Sequence, residues 1–211
     1  ALSLTNQGEA EKSKAAMEIL QQEWQEFQDK YDDIFAEYER WCELQTAVSA
    51  RIGRADKIVQ SGGDLMAAHE ELEAIRFIFL EARKAEGIEY FIDYLTEFHE
   101  PMEAIAMAVK DKRPADLSEE DIAAIREHYA NASDKWQAVE EAVYNPEEAV
   151  YNADIYRLDE KEQEIFLAEM KQEAAAMKNL GEALKSGDTA AMLKAGRGIK
   201  PHFVKLFLLF G

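Results

Sequence analysis

Apolar residues recur every three or four positions along nearly the whole chain and nowhere alternate in twos, a pattern that predicts an all-α protein. The clearest stripe runs Met17, Leu20, Trp24, Phe27, Tyr31, Ile34, Tyr38, Trp41, Gln45, Val48, Ile52, Ala55 and Val59. It predicts a long N-terminal helix over 9–60, or two nearly continuous ones. At ~1.5 Å per residue that stretch would reach about 65 Å. A domain of this size does not hold such a length straight, so a bend or a projecting end is expected, with Gly53 as the weakest point.

Five further helices are expected. Ser61, Gly62 and Gly63 close the first, and Asp64 caps a second that turns Leu65, Leu72, Ile75 and Phe79 inward and stops at Gly87. A third carries Ile88, Ile92, Leu95, His99, Met102, Ala106 and Val109 as far as the polar turn at 111–116, with one backbone donor removed at Pro101. Ser118, followed by Glu119, Glu120 and Asp121, supplies a cap and an acidic first turn for a fourth, striped by Ile122, Ile125, Tyr129, Ala132, Trp136, Val139 and Val143. Asn145-Pro146 stops it. The segment Glu140–Asn145 then recurs as Glu147–Asn152, so that 144–158 reads either as a broken helix or as an ordered loop. A fifth helix opens near Asp159 with Phe166, Met170, Met177, Leu180 and Leu184. A sixth follows Ser186-Gly187-Asp188 with Met192, Ala195, Ile199, His202, Leu206 and Leu209.

The short connections make successive helices antiparallel neighbours. The expected fold is one all-helical domain over 1–211, an up-and-down bundle of about six helices: the long helix 9–60, central hairpins over 64–143, the connection 144–158 and a C-terminal hairpin over 159–211. Two hairpins look copied. Ser61-Gly62-Gly63-Asp64 matches Ser186-Gly187-Asp188 with one glycine inserted, and beyond it Ile75-Arg76 aligns with Ile199-Lys200, Phe79 with Phe203 and Gly87 with Gly211. Met102, Ile105, Ala108, Val109 and Lys110 match Met177, Leu180, Ala183, Leu184 and Lys185 in the same way.

The run Met177–Asp188, followed by Ala195-Gly196 and His202, resembles the final hairpin of the cytochrome c-prime and related b-type four-helix bundles. The resemblance covers about a sixth of the chain and rests on small and charged residues. It implies a four-helix bundle with a haem-like site near the end of the last helix, in an exported protein. Where that family carries Cys-x-x-Cys-His, this chain has Gly198-Ile199-Lys200-Pro201-His202, so the histidine is kept and covalent haem attachment is excluded. The aligned segment of the earlier hairpin, Ala74–Ile78, has isoleucine where His202 stands.

Charge and composition narrow the classes of function. With 43 acidic against 24 basic residues the formal charge is −19, which excludes a nucleic-acid partner, since phosphate binding needs clustered Lys and Arg. Cys42 is the sole cysteine, so neither a disulfide, a zinc finger nor an iron–sulfur cluster can be assembled. The opening Ala1-Leu2-Ser3-Leu4 fits a chain after signal-peptide removal, and a periplasmic or otherwise exported protein is expected. No apolar run approaches the ~20 residues of a membrane span.

Of four histidines, His69, His99 and His202 fall in the inward stripes, and His128 lies beside its stripe. A buried imidazole needs a hydrogen-bond partner or a metal. Met102 follows His99 by three positions, and Met177 lines the fifth helix, so a His/Met set suited to copper or to haem iron can be drawn. Glu73 follows His69 by four, within reach of a shared ion or of a plain hydrogen bond, and Arg76 stands ready to pair with Glu73. Methionines on a helical stripe are commonly core filler. The Glu-x-x-His pairs of di-iron bundles, the His-Glu-x-x-His zinc motif, phosphate loops and a serine nucleophile elbow are all missing, so no catalytic motif is recognisable.

The leading expectation is an exported bundle that binds copper, iron or non-covalent haem b through inward residues: His202, Met177 and Met102 for a cofactor, and His99, His202, His69, Met102 and Glu73 for a metal ion. It would carry, buffer or transfer, handing metal or electrons to a protein partner. The rival is a cofactor-free interaction module whose N-terminal helix, with Trp24, Phe27, Tyr31, Tyr38 and Trp41 on one face, docks a partner or forms a homodimer.

Overall fold

The structure is a computed structural model that describes residues 1–35 and 39–210, without the side chains of 34, 35 and 39. Among the described residues every regular element is helical, and no helix is long and apolar enough to cross a membrane. The chain divides into two compact units, Ala1–Ile88 and Glu89–Gly211, each with its own core.

The first unit holds α1 (Leu2–Asn6), α2 (Ala10–Phe35), α3 (Glu39–Gln60) and α4 (Leu65–Ala85). The stretch 9–60 is thus two helices, α2 and α3, packed side by side. Trp24 Nε1 donates to Ser49 Oγ at 2.8 Å, the Phe27 and Trp41 rings lie 5.7 Å apart, and Gln28 donates to Gln45, which donates to Asp32 at 2.7 Å. The reason is burial: both arms carry the same apolar stripe, and folding one against the other removes both from water. Residues 36–38 between them, Tyr38 included, and the side chain of Ile34 lie outside the described residues. Gly53 stands inside α3 and breaks nothing. Met17, Val48, Ile52, Ala55, Val59, Ala68 and Leu72 form the core, and Trp24 of the aromatic seam packs against it, edge-on to Phe79 at 6.3 Å. Asp64 caps α4 as expected, accepting from the Met66 N–H at 2.9 Å.

The second unit holds α5 (Phe91–Val109), a 3-10 turn at Pro114–Asp116, α6 (Glu119–Tyr144), α7 (Ala153–Tyr156), α8 (Glu160–Ser186) and α9 (Thr189–Leu208). The four long helices close a ring in which α5 meets α6, α6 meets α8, α8 meets α9 and α9 returns to α5. This is all-α, bundle-like packing, as the helical periodicity predicts. The start of α5, the start of α8 and the end of α9 come together in an aromatic plug: Phe91 lies 5.6 Å from both Phe166 and Phe210, and Tyr151 stacks on Phe166 at 4.3 Å. Reciprocal capping boxes, Ser118 with Asp121 and Asp159 with Glu162, start α6 and α8 where the sequence places them.

The repeated segment is an ordered loop. Its first copy finishes α6, and its second runs back along that helix end, with the N–H groups of Val150 and Tyr151 both donating to the Ala142 carbonyl at 2.8 and 2.9 Å. Pro146 prevents the helix from continuing. The two asparagines do the same work: Asn145 Oδ1 accepts from the Glu147 N–H, and Asn152 Oδ1 from the Asp154 N–H, each at 3.0 Å.

Helix α9 lies close against α5. A Cβ on Gly196 would meet Val109 Cγ1 at 2.9 Å, and Arg197 beside it donates to the Val109 carbonyl at 3.1 Å and to the Lys112 carbonyl, satisfying the open end of α5. Gly196→Leu should therefore cost about 1–3 kcal/mol through overpacking. Two residues on, Gly198 has nothing within 4 Å of an added Cβ. There Gly198→Ala should instead stabilise α9 by about 0.5–1 kcal/mol. Urea unfolding of both variants checks the opposite signs.

Candidate functional site

The segment Ile199–Phe203 of α9 joins three helices. Ile199 and Phe203 are buried in the core. Between them, the Lys200 ammonium donates to Glu103 Oε1 of α5 at 2.8 Å, and His202 Nδ1 lies 2.7 Å from Glu169 Oε2 of α8. The Phe203 ring packs 5.6 Å from Phe98, and His99 stacks on it at 5.2 Å with 13° between the planes. Successive side chains of a helix point about 100° apart, so residues 200, 202 and 203 reach different neighbours.

Glu169 accepts on both oxygens, from His202 and, at 2.8 Å, from the Lys205 ammonium. Burial pushes its carboxyl upward, but Lys205 and His202 outweigh that and hold it below the usual carboxylate range. An ionised Glu169 can only accept, so His202 Nδ1 carries the hydrogen. His202 Nε2 makes no hydrogen bond. The imidazole stands on the wall of an open groove of about 570 Å³ between α8 and α9, whose floor of Ala175, Ala176, Ala183, Ala191, Ala195 and Gly198 is built of small side chains.

Glu173, one turn along α8 from Glu169, is fully buried, and among the described residues neither carboxyl oxygen has a partner within hydrogen-bonding geometry, the Phe203 N–H acting on it only weakly. Burial pushes its pKa to about 9, against a weaker pull downward from the Phe203 N–H and with a further push from the Glu169 charge. The group is a neutral acid at pH 7. A neutral carboxyl without partners is still costly to bury.

In the first unit, His69 Nδ1 lies 3.0 Å from the Leu2 carbonyl of α1, while Nε2 faces Glu73 Oε2 at 3.7 Å. Arg76 sits 3.5 Å from Glu73 Oε1. Burial lowers the Arg76 pKa to about 10, with Glu73 pulling it back up.

The expected ligands come from both units. His69 and Glu73 belong to the first unit, and His99, His202, Met102 and Met177 to the second. Met102 and Met177 lie within the main core, His99 is engaged with Phe203, and His128 is half-buried on α6. Among the described residues no group of three or more His, Cys, Asp or Glu side chains is placed to hold a metal ion.

Three carboxylates of this region escape stripe reading: Glu103, Glu169 and Glu173. Glu173 was within reach of the pattern, because the α8 stripe skips from Met170 to Met177 and 173 is the inward position it passes over. Glu103 had a signal of another kind. His69-Glu70-Glu71-Leu72-Glu73-Ala74-Ile75 and His99-Glu100-Pro101-Met102-Glu103-Ala104-Ile105 share His, Glu, an apolar residue, Glu, Ala and Ile at the same spacing. Each unit carries one copy. Glu169 had no local signal, since its partners come from another helix.

No family model matches the chain, and neither curated proteins nor solved structures yield a match.

The buried acid makes stability depend on pH. Its folded-state pKa lies above the ordinary value near 4.5, so the unfolded chain sheds the proton first, and stability falls as pH rises from about 4.5 to about 9. At ~1.4 kcal/mol per unit the loss is on the order of 3 kcal/mol by pH 7. Glu173→Met should raise unfolding free energy by a few kcal/mol, with a gain that grows between pH 5 and pH 9 in urea titrations. A gain independent of pH would show that Glu173 keeps an ordinary pKa.

Proposed function

We propose that the C-terminal bundle binds a transition metal or a non-covalent haem through His202, as a carrier or buffer rather than a catalyst. One observation carries this reading: His202 has its Nδ1–H fixed by the Glu169 carboxylate and its Nε2 left without a hydrogen bond on the wall of a groove of about 570 Å³. A histidine that ligates through one ring nitrogen characteristically donates from the other to a carboxylate or carbonyl, which fixes the tautomer and raises the basicity of the ligating nitrogen. The groove volume falls within the range of small-molecule and cofactor sites, ~300–1,000 Å³.

The donor set is a single imidazole, which fits a ligand held by one bond from the protein. Lys205 shares the Glu169 charge and keeps that carboxylate ionised, so the support behind His202 persists through the neutral range. Export, and delivery of metal or electrons to a partner, belong to the same reading and draw their support from the resemblance of Met177–His202 to the haem-site hairpin of the cytochrome c-prime class.

Haemin and Cu²⁺, titrated separately into the full chain and followed by absorption spectroscopy and calorimetry, test the reading. Binding of at least one of them is expected, with His202→Ala lowering its affinity at least tenfold and Glu169→Gln lowering it about 10–100-fold. If neither binds, or if His202→Ala binds as the parent does, the groove is not the site.

A further inference from the structure

We propose that the N-terminal unit holds a second and independent site, in which His69 Nε2 and Glu73 Oε2 together bind a first-row divalent metal ion. The inference starts from the tautomer. The Leu2 carbonyl can only accept, so the hydrogen of the neutral imidazole sits on Nδ1, 3.0 Å away. His69 Nε2 then carries a lone pair, and it points at a carboxylate oxygen 3.7 Å distant. Two acceptors facing each other with no hydrogen between them are mutually repulsive, and a cation between them removes the repulsion.

The geometry suits a metal ion. Ligands at about 2.0–2.2 Å from an ion, subtending a tetrahedral angle, stand about 3.4 Å apart. The observed 3.7 Å needs only a small rotation of Glu73 to reach that bite. The two residues are four apart on α4 and so share one face of a rigid helix. Both are largely but not wholly buried, with side-chain exposures of 12% and 23%.

Each ligand has the support that metal ligands commonly show. His69 is oriented by a backbone carbonyl on its far nitrogen, and Glu73 by Arg76 on its other oxygen. Imidazole with carboxylate suits the later first-row ions, with Cu²⁺ bound most tightly. The same sequence element in the C-terminal unit is used differently: Glu103 Oε1 is taken by Lys200 at 2.8 Å, and the His99 ring is stacked on Phe203.

The site lies in a different unit from His202, so the two proposals can fail separately. The test uses the full chain carrying His202→Ala, titrated with Cu²⁺ by calorimetry, while amide NMR spectra record which resonances broaden. One ion is expected, with broadening centred on residues 69–73 of α4. His69→Asn keeps a side-chain amide able to donate to the Leu2 carbonyl while removing Nε2, and Glu73→Gln removes the charge. Each should weaken binding at least tenfold with little change in melting temperature, and the double variant should lose little more, because both residues hold the same ion. Unchanged affinity in either single variant, or broadening centred elsewhere, would overturn the proposal. No uptake of Cu²⁺ by the His202→Ala chain would overturn it too.

Discussion

The C-terminal unit depends on how closely α9 can approach α5, and Gly196 sets that distance. With no Cβ at 196 the backbone rests against Val109, and the rest of α9 is carried inward with it. One turn later Lys200 is near enough to reach Glu103, Phe203 fills the space beside Phe98, and His202 falls opposite Glu169. None of these contacts is strong on its own. An ion pair as exposed as Lys200–Glu103 is worth about 0–1 kcal/mol, and its value lies in fixing rotation about the helix axis. Small residues between α8 and α9 have the opposite effect. Ala175 and Ala176 of α8 and Ala191 and Ala195 of α9 line the groove at His202, where small side chains leave space between the two helices.

Much of this fold was legible because caps and stripes are local. Asp64, Ser118, Asp159 and Asp188 each start a helix where a side-chain acceptor precedes an apolar repeat, and each accepts the expected backbone N–H. The division of this stretch into α2 and α3 was not legible, because the three-four periodicity continues from one to the other without a phase change. A stripe records which face is buried and is silent on whether the burying surface is another helix or the other arm of the same one. The repeated segment 140–152 shows the same limit. Two identical hexapeptides take different backbones because one continues a helix already nucleated and the other follows Pro146.

The candidate sites were legible only in part, for a related reason. Sequence phase places His69, His99 and His202 on inward faces, and each does face a packed neighbour. What phase cannot give is the second partner of each ring. For His69 that partner is a backbone carbonyl from α1, for His202 a carboxylate from α8, and for His99 the face of an aromatic ring from α9. These three environments assign different chemistry to one residue type. A carbonyl fixes the tautomer without adding charge, whereas a carboxylate also makes the ring a stronger base. Stacking on Phe203 instead uses the flat surface of the imidazole as packing area.

Glu169 and Glu173 show how one helix face holds two carboxyl groups in opposite states. They stand one turn apart on α8, near enough that the charge of Glu169 raises the pKa of Glu173. Were both ionised, the repulsion would add to the cost of burying Glu173 without a partner. The fold separates them through their surroundings: Lys205 and His202 hold Glu169 ionised, while enclosure keeps Glu173 protonated. The arrangement leaves one ionised carboxylate of the pair beside His202, and His202 and Lys205 divide its oxygens between them. Ionising Glu173 would place a second charge in the core with only the weak pull of the Phe203 N–H to offset it. The neutral state of Glu173 is thus what allows Glu169 to remain fixed against His202.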